Sequence, residues 1–137
     1  MKHDKPVGEV MTKHPRSVQV TQTIGDVRAA LADHRLHHLP VVDGERLVGI
    51  ISTTDLLEFG FEPRDSHKDL DEYLNAHFSI PQIMRTELVT IPSHSTVHDA
   101  ARALATGELH AVPVVAEDNK LVGIVTSTDI VSYLLSL

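Results

Sequence analysis

The sequence predicts an α/β (α+β) fold in which one small unit is written twice. Each copy is expected to hold a small three-stranded sheet with covering helices, and the copies are expected to be related by a pseudo-twofold axis. Three observations predict this. Two long segments match each other in order and register. Each copy alternates helical and strand periodicity in the same sequence. A repeat of roughly 55 residues is marginal alone, so two copies must share their burial.

The self-match is direct. Leu36-His37-His38-Leu39-Pro40-Val41-Val42 returns as Leu109-His110-Ala111-Val112-Pro113-Val114-Val115. Leu47-Val48-Gly49-Ile50-Ile51-Ser52-Thr53-Thr54-Asp55 returns as Leu121-Val122-Gly123-Ile124-Val125-Thr126-Ser127-Thr128-Asp129. The offset is 73 between Pro40 and Pro113 and 74 between Asp55 and Asp129. The extra residue falls in a turn, where Asp43-Gly44-Glu45 faces Glu117-Asp118-Asn119, and turns tolerate insertion. Upstream, Val10-Met11-Thr12 corresponds to Ile83-Met84-Arg85, and Thr23-Ile24-Gly25-Asp26-Val27 to Thr96-Val97-His98-Asp99-Ala100. Repeat one is placed at 5–60, a connecting segment with a short helix at 61–77, and repeat two at 78–137.

The elements follow in order. A turn of helix is expected after Pro6 and at Pro81, since proline suits a helix start. Short strands are expected around 17–20 and 88–91. Ile24, Val27, Ala30 and Leu31, and then Val97, Ala100, Ala101 and Leu104, have the spacing of amphipathic helices. Strands follow at 39–42 with 46–51 and at 112–116 with 121–125, the first pair joined by the hairpin signal Asp43-Gly44. These strands are apolar on both faces, which calls for helices over the sheet. A last helix is expected from Asp55 and from Asp129. In the connection, Asp65-Ser66-His67-Lys68 before Leu70, Tyr73 and Leu74 reads as a capped helix.

Composition narrows the function classes. The 137 residues are 42% hydrophobic, which suits a globular chain. No apolar run approaches the ~20 residues of a membrane span, and the start Met1-Lys2-His3-Asp4-Lys5-Pro6 is not followed by the apolar stretch of a secretory signal. No membrane association is expected, and a cytoplasmic location is. Cysteine is absent, so disulfides, thiolate catalysis and Cys-based zinc sites are excluded. A net charge of -7 opposes nucleic-acid binding, which needs a basic surface. No nucleophile elbow, phosphate-binding loop or two-metal carboxylate pattern is present, and the chain is not expected to be an enzyme.

The chemistry concentrates where each last strand ends. Gly49-Ile50-Ile51-Ser52-Thr53-Thr54-Asp55 and Gly123-Ile124-Val125-Thr126-Ser127-Thr128-Asp129 place hydroxyls and a carboxylate at a strand-to-helix turn. Ser52-x-x-Asp55 and Thr126-x-x-Asp129 read as capping boxes with Asp in place of Glu. The same residues suit a nucleotide. Hydroxyls can donate to phosphate, a carboxylate can accept both hydroxyls of a ribose, and glycine lets a ligand approach the backbone.

These motifs, duplicated and in register, resemble the cystathionine-β-synthase (CBS) domain family, and the chain is similar to a tandem pair of such domains, a stand-alone Bateman module. The resemblance rests on Val10-Met11-Thr12, Leu39-Pro40-Val41-Val42-Asp43, Val112-Pro113-Val114-Val115 and the two Gly-to-Asp endings, and it covers nearly the whole chain. It implies an adenine nucleotide, AMP-like or else ADP, ATP or S-adenosylmethionine, in the cleft between repeats. Asp55 and Asp129 would hold ribose. Ser52, Thr53, Thr54, Thr126, Ser127 and Thr128 would lie near phosphate. Backbone around Leu36–Leu39 and Leu109–Val112 would read adenine; His38, Leu39, Pro40, Ala111, Val112 and Pro113 are counted among the ligand-binding residues, with Thr90 as a weaker match.

The family often carries a basic residue just before the final Asp. Here Thr54 and Thr128 stand there, which favours a monophosphate or adenosine-type ligand over ATP. His37, His38 and His110 resemble phosphate-contacting positions in the regulatory subunit of AMP-activated protein kinase, and Arg28 and Arg102 are further candidate phosphate partners. His34-x-x-His37-His38 also reads as a partial set of metal ligands. No cofactor is required and no metal site is assigned. The implied role is a regulatory ligand sensor that signals to an effector protein, as a homodimer. Leu56, Leu57, Ile130, Leu134 and Leu135 are candidate interface residues. The alternatives are a structural dimerisation module with degenerate sites and a histidine-based pH or metal sensor.

Overall fold

The computed structural model describes residues 5–33, 36–59 and 68–137. In chain order the elements are a 3-10 turn at Val7–Glu9, β1 at Thr12–Lys13, β2 at Val18–Gln19, α1 at Ile24–Asp33, β3 at His38–Asp43, β4 at Arg46–Ser52 and α2 at Thr53–Glu58. They continue with α3 at Lys68–His77, α4 at Ile80–Ile83, β5 at Ile91–Pro92, α5 at Val97–Leu104, β6 at Ala111–Val115, a 3-10 turn at Glu117–Asn119, β7 at Leu121–Thr126 and α6 at Ser127–Leu135. The chain divides into two compact units. One is Arg16–Leu88; the other joins 5–15 to Val89–Leu137. Each unit is thus completed by an entering segment that lies far away in sequence.

In the unit Arg16–Leu88 the sheet order is β2-β3-β4. β2 runs parallel to β3 (Val18 opposite Val41), as a strand linked through a crossover helix must. β3 and β4 form an antiparallel hairpin closed at Asp43 and Arg46, and Gly44 adopts φ +67, the left-handed backbone that only glycine takes freely. The expected face of α1 is buried: Ile24, Val27, Ala30 and Leu31 join Val18, Leu39, Val41, Ile51 and Leu56 in one core. α3 belongs to that core. Its Leu74 is fully buried, Gly25 N–H donates to Asn75 Oδ1 at 2.8 Å, and Arg28 pairs with Asp71. The predicted helix in the connection is therefore a packed element of the fold. Its proposed cap at 65–67 lies outside the described residues.

In the other unit the sheet has four strands, in the order β1-β7-β6-β5. The core is Val7, Ile91, Ala100, Leu104, Val112, Val114 and Val125. The fourth strand comes from the entering segment, where Thr12 pairs with Ile124 and Lys13 with Gly123. Its counterpart in the first unit is a single bridge between Ile50 and Arg85. β5 covers Ile91–Pro92 rather than 88–91, because Ile91 and Pro92 are the residues that reach Val114 and Val115. β5 is an edge strand, where proline is tolerated. The longer turn between β6 and β7 is made by Asp118 and Asn119 at φ 58 and 60, residue types that tolerate left-handed backbone.

Candidate functional site

Each unit carries the same strand-to-helix turn. Ser52 and Thr126 are extended N-caps, with ψ of 163 and 165, so α2 and α6 begin at Thr53 and Ser127 rather than at the aspartates. Asp55 and Asp129 stand at the third helical position. Both predicted capping boxes form. Ser52 Oγ accepts from Asp55 N at 3.1 Å, and Asp55 Oδ2 accepts from Ser52 N at 2.8 Å. Thr126 Oγ1 accepts from Asp129 N at 3.2 Å, and Asp129 Oδ2 accepts from Thr126 N at 2.8 Å. These bonds satisfy backbone donors that a helix start leaves open and hold each carboxylate in one rotamer.

The strands bring the second half of each predicted constellation alongside. Thr53 N–H donates to the His37 carbonyl at 3.0 Å, and Ser127 N–H donates to the His110 carbonyl at 3.0 Å. His38 lies opposite Ser52 and Ala111 opposite Thr126. Leu39, Pro40, Val112 and Pro113 have buried side chains, so only their backbone could meet a ligand; Ala111 is buried too. His37, His110, Thr54 and Thr128 are exposed, and His38, Thr53 and Ser127 are half-buried. Thr90 precedes β5 and lines a separate cavity of about 630 Å³ with Pro92, Ser93, His94, Val115, Ala116 and Glu117, at the Val115 end of β6. The Asp129 turn adjoins the Ala111 end.

Some expectations are corrected. Arg28 is not a phosphate partner: it is buried and its guanidinium is engaged by Asp71. Leu56 is not surface material, being wholly inside the core, whereas Leu57, Leu134 and Leu135 are exposed and Ile130 is half-buried. Gly49 and Gly123 are not open to a ligand. The space beside each is filled by a methionine of the entering segment, Met84 over Gly49 and Met11 over Gly123. This explains why Met is shared by the two opening signatures. Arg102 remains exposed, with its guanidinium 3.1 Å from His98 Nε2. Among the described residues no three His, Asp or Glu side chains converge as a metal group, and His34 lies outside them. No described helix is long and apolar enough to cross a membrane.

One residue that sequence reasoning passed over changes the first turn. Arg85 Nε donates to Asp55 Oδ1 at 2.7 Å, so both oxygens of that carboxylate are engaged. Asp55 is buried, while the Arg85 side chain is 59% exposed. The hydrogen bond to Asp55 and its negative charge, with Glu58 adding, raise the Arg85 pKa above its ordinary value, so the guanidinium stays charged. The signal was visible in the self-match, where Arg85 falls opposite the uncharged Thr12.

Residues 7–62 and 80–136 each match the CBS domain. The chain belongs to the CBS-domain family. A CBS domain-containing protein of Dictyostelium discoideum is 30% identical over 135 residues, covering 96% of this chain and 92% of that protein. An uncharacterized protein of Methanocaldococcus jannaschii is 31% identical over 142 residues, covering 98% of this chain. This chain spans only 33% of that protein, and 39% of a second M. jannaschii relative. Among solved structures, CBSX2 of Arabidopsis thaliana, crystallised with AMP, superposes with a TM-score of 0.80 at 26% identity, covering 96% of this chain and 97% of the other. The CBS domain pair of protein MJ0100, solved with 5′-methylthioadenosine and S-adenosyl-L-methionine, superposes at 0.75 with 27% identity, covering 96% of each.

Proposed function

We propose that this CBS chain is a regulatory module that binds an adenine nucleoside or nucleotide, with AMP or a similarly small ligand preferred, and signals its presence to a partner protein. The observation that carries the reading is the Asp129 turn. Asp129 is half-buried and Oδ2 is fixed by the cap, while Oδ1 has no partner among the described residues. A fixed, half-free carboxylate beside the Thr126, Ser127 and Thr128 hydroxyls suits a ribose diol with a phosphate or thioether tail. The AMP complex of CBSX2 and the nucleoside complex of the MJ0100 pair support the same ligand class. No group at the turn is poised for bond making, so the role is binding rather than catalysis.

Signalling requires that the ligand prefer one of two states of the chain or of its assembly. We place the homodimer contact on the exposed apolar residues Leu57, Leu134 and Leu135. The ligand reading is tested by thermal unfolding with AMP, ATP, 5′-methylthioadenosine, S-adenosylmethionine and NAD. At about 100 times its Kd, a true ligand stabilises the fold by roughly 2.7 kcal/mol. An unchanged midpoint with all five at millimolar concentration, together with no AMP retained in equilibrium dialysis, refutes the reading.

A further inference from the structure

The two turns share their capping bonds but differ in what reaches the carboxylate a ribose would need. Arg85 and Thr12 occupy the same position in their units. Each is the residue after the methionine that fills a glycine notch. Each pairs by backbone with the residue five before the aspartate, Arg85 with Ile50 and Thr12 with Ile124. Both hydrogen bonds of the Arg85 bridge are well formed, with Ile50 N to Arg85 O at 3.0 Å and Arg85 N to Ile50 O at 2.9 Å. The guanidinium is therefore launched from a fixed backbone toward Asp55, and Nε meets Oδ1 at 2.7 Å. Thr12 has no charge and too short a side chain to do this, and among the described residues it makes no hydrogen bond to Asp129.

We infer that Arg85 is a specificity-determining residue that disfavours diol ligands at the Asp55 turn, so that ribose is taken first at the Asp129 turn. This rests on the adenine-ligand reading above. A carboxylate holds a ribose by accepting from two hydroxyls. At Asp55, Oδ2 is spent on the cap and Oδ1 on Arg85, so a diol must first displace a charge-assisted hydrogen bond. That displacement weakens binding at Asp55 roughly tenfold or more relative to Asp129, even with Arg85 half in solvent. The closing residue adds a cation where the ligand would have to donate protons, so the mismatch is one of sign as well as of space.

Isothermal titration calorimetry with AMP on the intact chain, repeated with 5′-methylthioadenosine, decides it. Wild type should bind one ligand per chain tightly, with any second site roughly tenfold or more weaker. Asp129→Asn, which keeps the capping oxygen but not the charge, should lose that site, and Asp55→Asn should leave affinity within about twofold. Arg85→Thr should bind two ligands per chain, and Thr12→Arg should weaken the wild-type site tenfold or more. Circular dichroism melts establish that each variant is folded; should Arg85→Thr fail to fold, the two Asp→Asn variants decide alone. Two equal sites in wild type, or loss with Asp55→Asn but not with Asp129→Asn, overturns the role of Arg85 and leaves the adenine reading intact. A second site that stays shut in folded Arg85→Thr overturns it as well. Absence of both ligands from every variant overturns the adenine reading and this inference with it.

Discussion

Gly49→Ala sets two effects of opposite sign against each other. Gly49 lies within β4 and its φ is outside the left-handed region, so alanine can adopt its backbone. On that ground alone the change should stabilise by about 0.4–1 kcal/mol, by restricting the unfolded chain. Packing opposes it. A Cβ here would stand 2.5 Å from Met84 Sδ, 2.9 Å from Met84 Cγ and 3.1 Å from the Arg85 carbonyl oxygen. The methionine must shift, and the carbonyl cannot easily follow, because Ile50 N–H holds it. Overpacking of this kind costs about 1–3 kcal/mol. The expected net effect is a loss of about 1 kcal/mol, which lowers Tm by about 3–5 °C for a chain of this size. The assay is a double-mutant cycle in circular dichroism melts with Met84→Ala. In that background the notch is empty, so Gly49→Ala should become neutral or stabilising, with a coupling of about 1–2 kcal/mol. A rise in Tm on the wild-type background, or the same change on both, refutes the reasoning.

Three further outcomes are expected. Thr126→Ala removes the α6 cap and should cost about 1 kcal/mol in denaturant unfolding, while Thr126→Ser should be nearly silent; equal effects would show that the hydroxyl does not cap. Leu74→Ala should cost about 2–5 kcal/mol, because this α3 side chain is fully buried; a loss below about 0.5 kcal/mol would mean that α3 is not part of the unit's core. The third outcome concerns acid. Hydrogen bonds from the Thr96 backbone and hydroxyl hold the Asp99 carboxyl below its ordinary value of 3.8. A depressed folded pKa means that its stabilisation is complete above the ordinary value and fades as pH falls through the lower, folded one. Asp99→Asn should therefore flatten the stability curve below about pH 4 and leave its shape near neutrality unchanged; an unaltered acid limb would dismiss the cap's role.

The fold was largely legible because it is repetitive. Apolar spacing in Ile24, Val27, Ala30 and Leu31 located α1, and Asp43-Gly44 located the hairpin, each from contacts a few residues apart. The entering segments were harder to read. Nothing local in Thr12-Lys13 says that these two residues add a strand to β7, more than 100 residues away, so the fourth strand appears only with the tertiary structure. The same distance hid the purpose of Gly49 and Gly123. Glycine in a strand signals that something approaches closely, and the sequence leaves open whether that is a ligand or a methionine. Arg28 misled for a related reason: a cation on a helix is usually solvated, and its pairing with Asp71 on α3 helps to make burial tolerable.

Capping and ligand binding looked like rival explanations of Ser52-x-x-Asp55 and Thr126-x-x-Asp129. The geometry makes them compatible uses of one carboxylate. The cap takes Oδ2 in both turns and so fixes where Oδ1 lies, and a fixed acceptor is better placed for a ligand than a free one because less ordering remains to be done on binding. On the proposed reading, what would decide ligand binding is then the second oxygen. At Asp129 no described residue occupies it; at Asp55 Arg85 does. Two turns with the same spacing and the same hydrogen bonds can therefore differ in what they bind through a residue 30 positions from Asp55, on a segment that belongs to the fold of the turn rather than to its motif. A pattern match over the seven motif residues would score the two turns as equals, and the ion pair predicts that they are not.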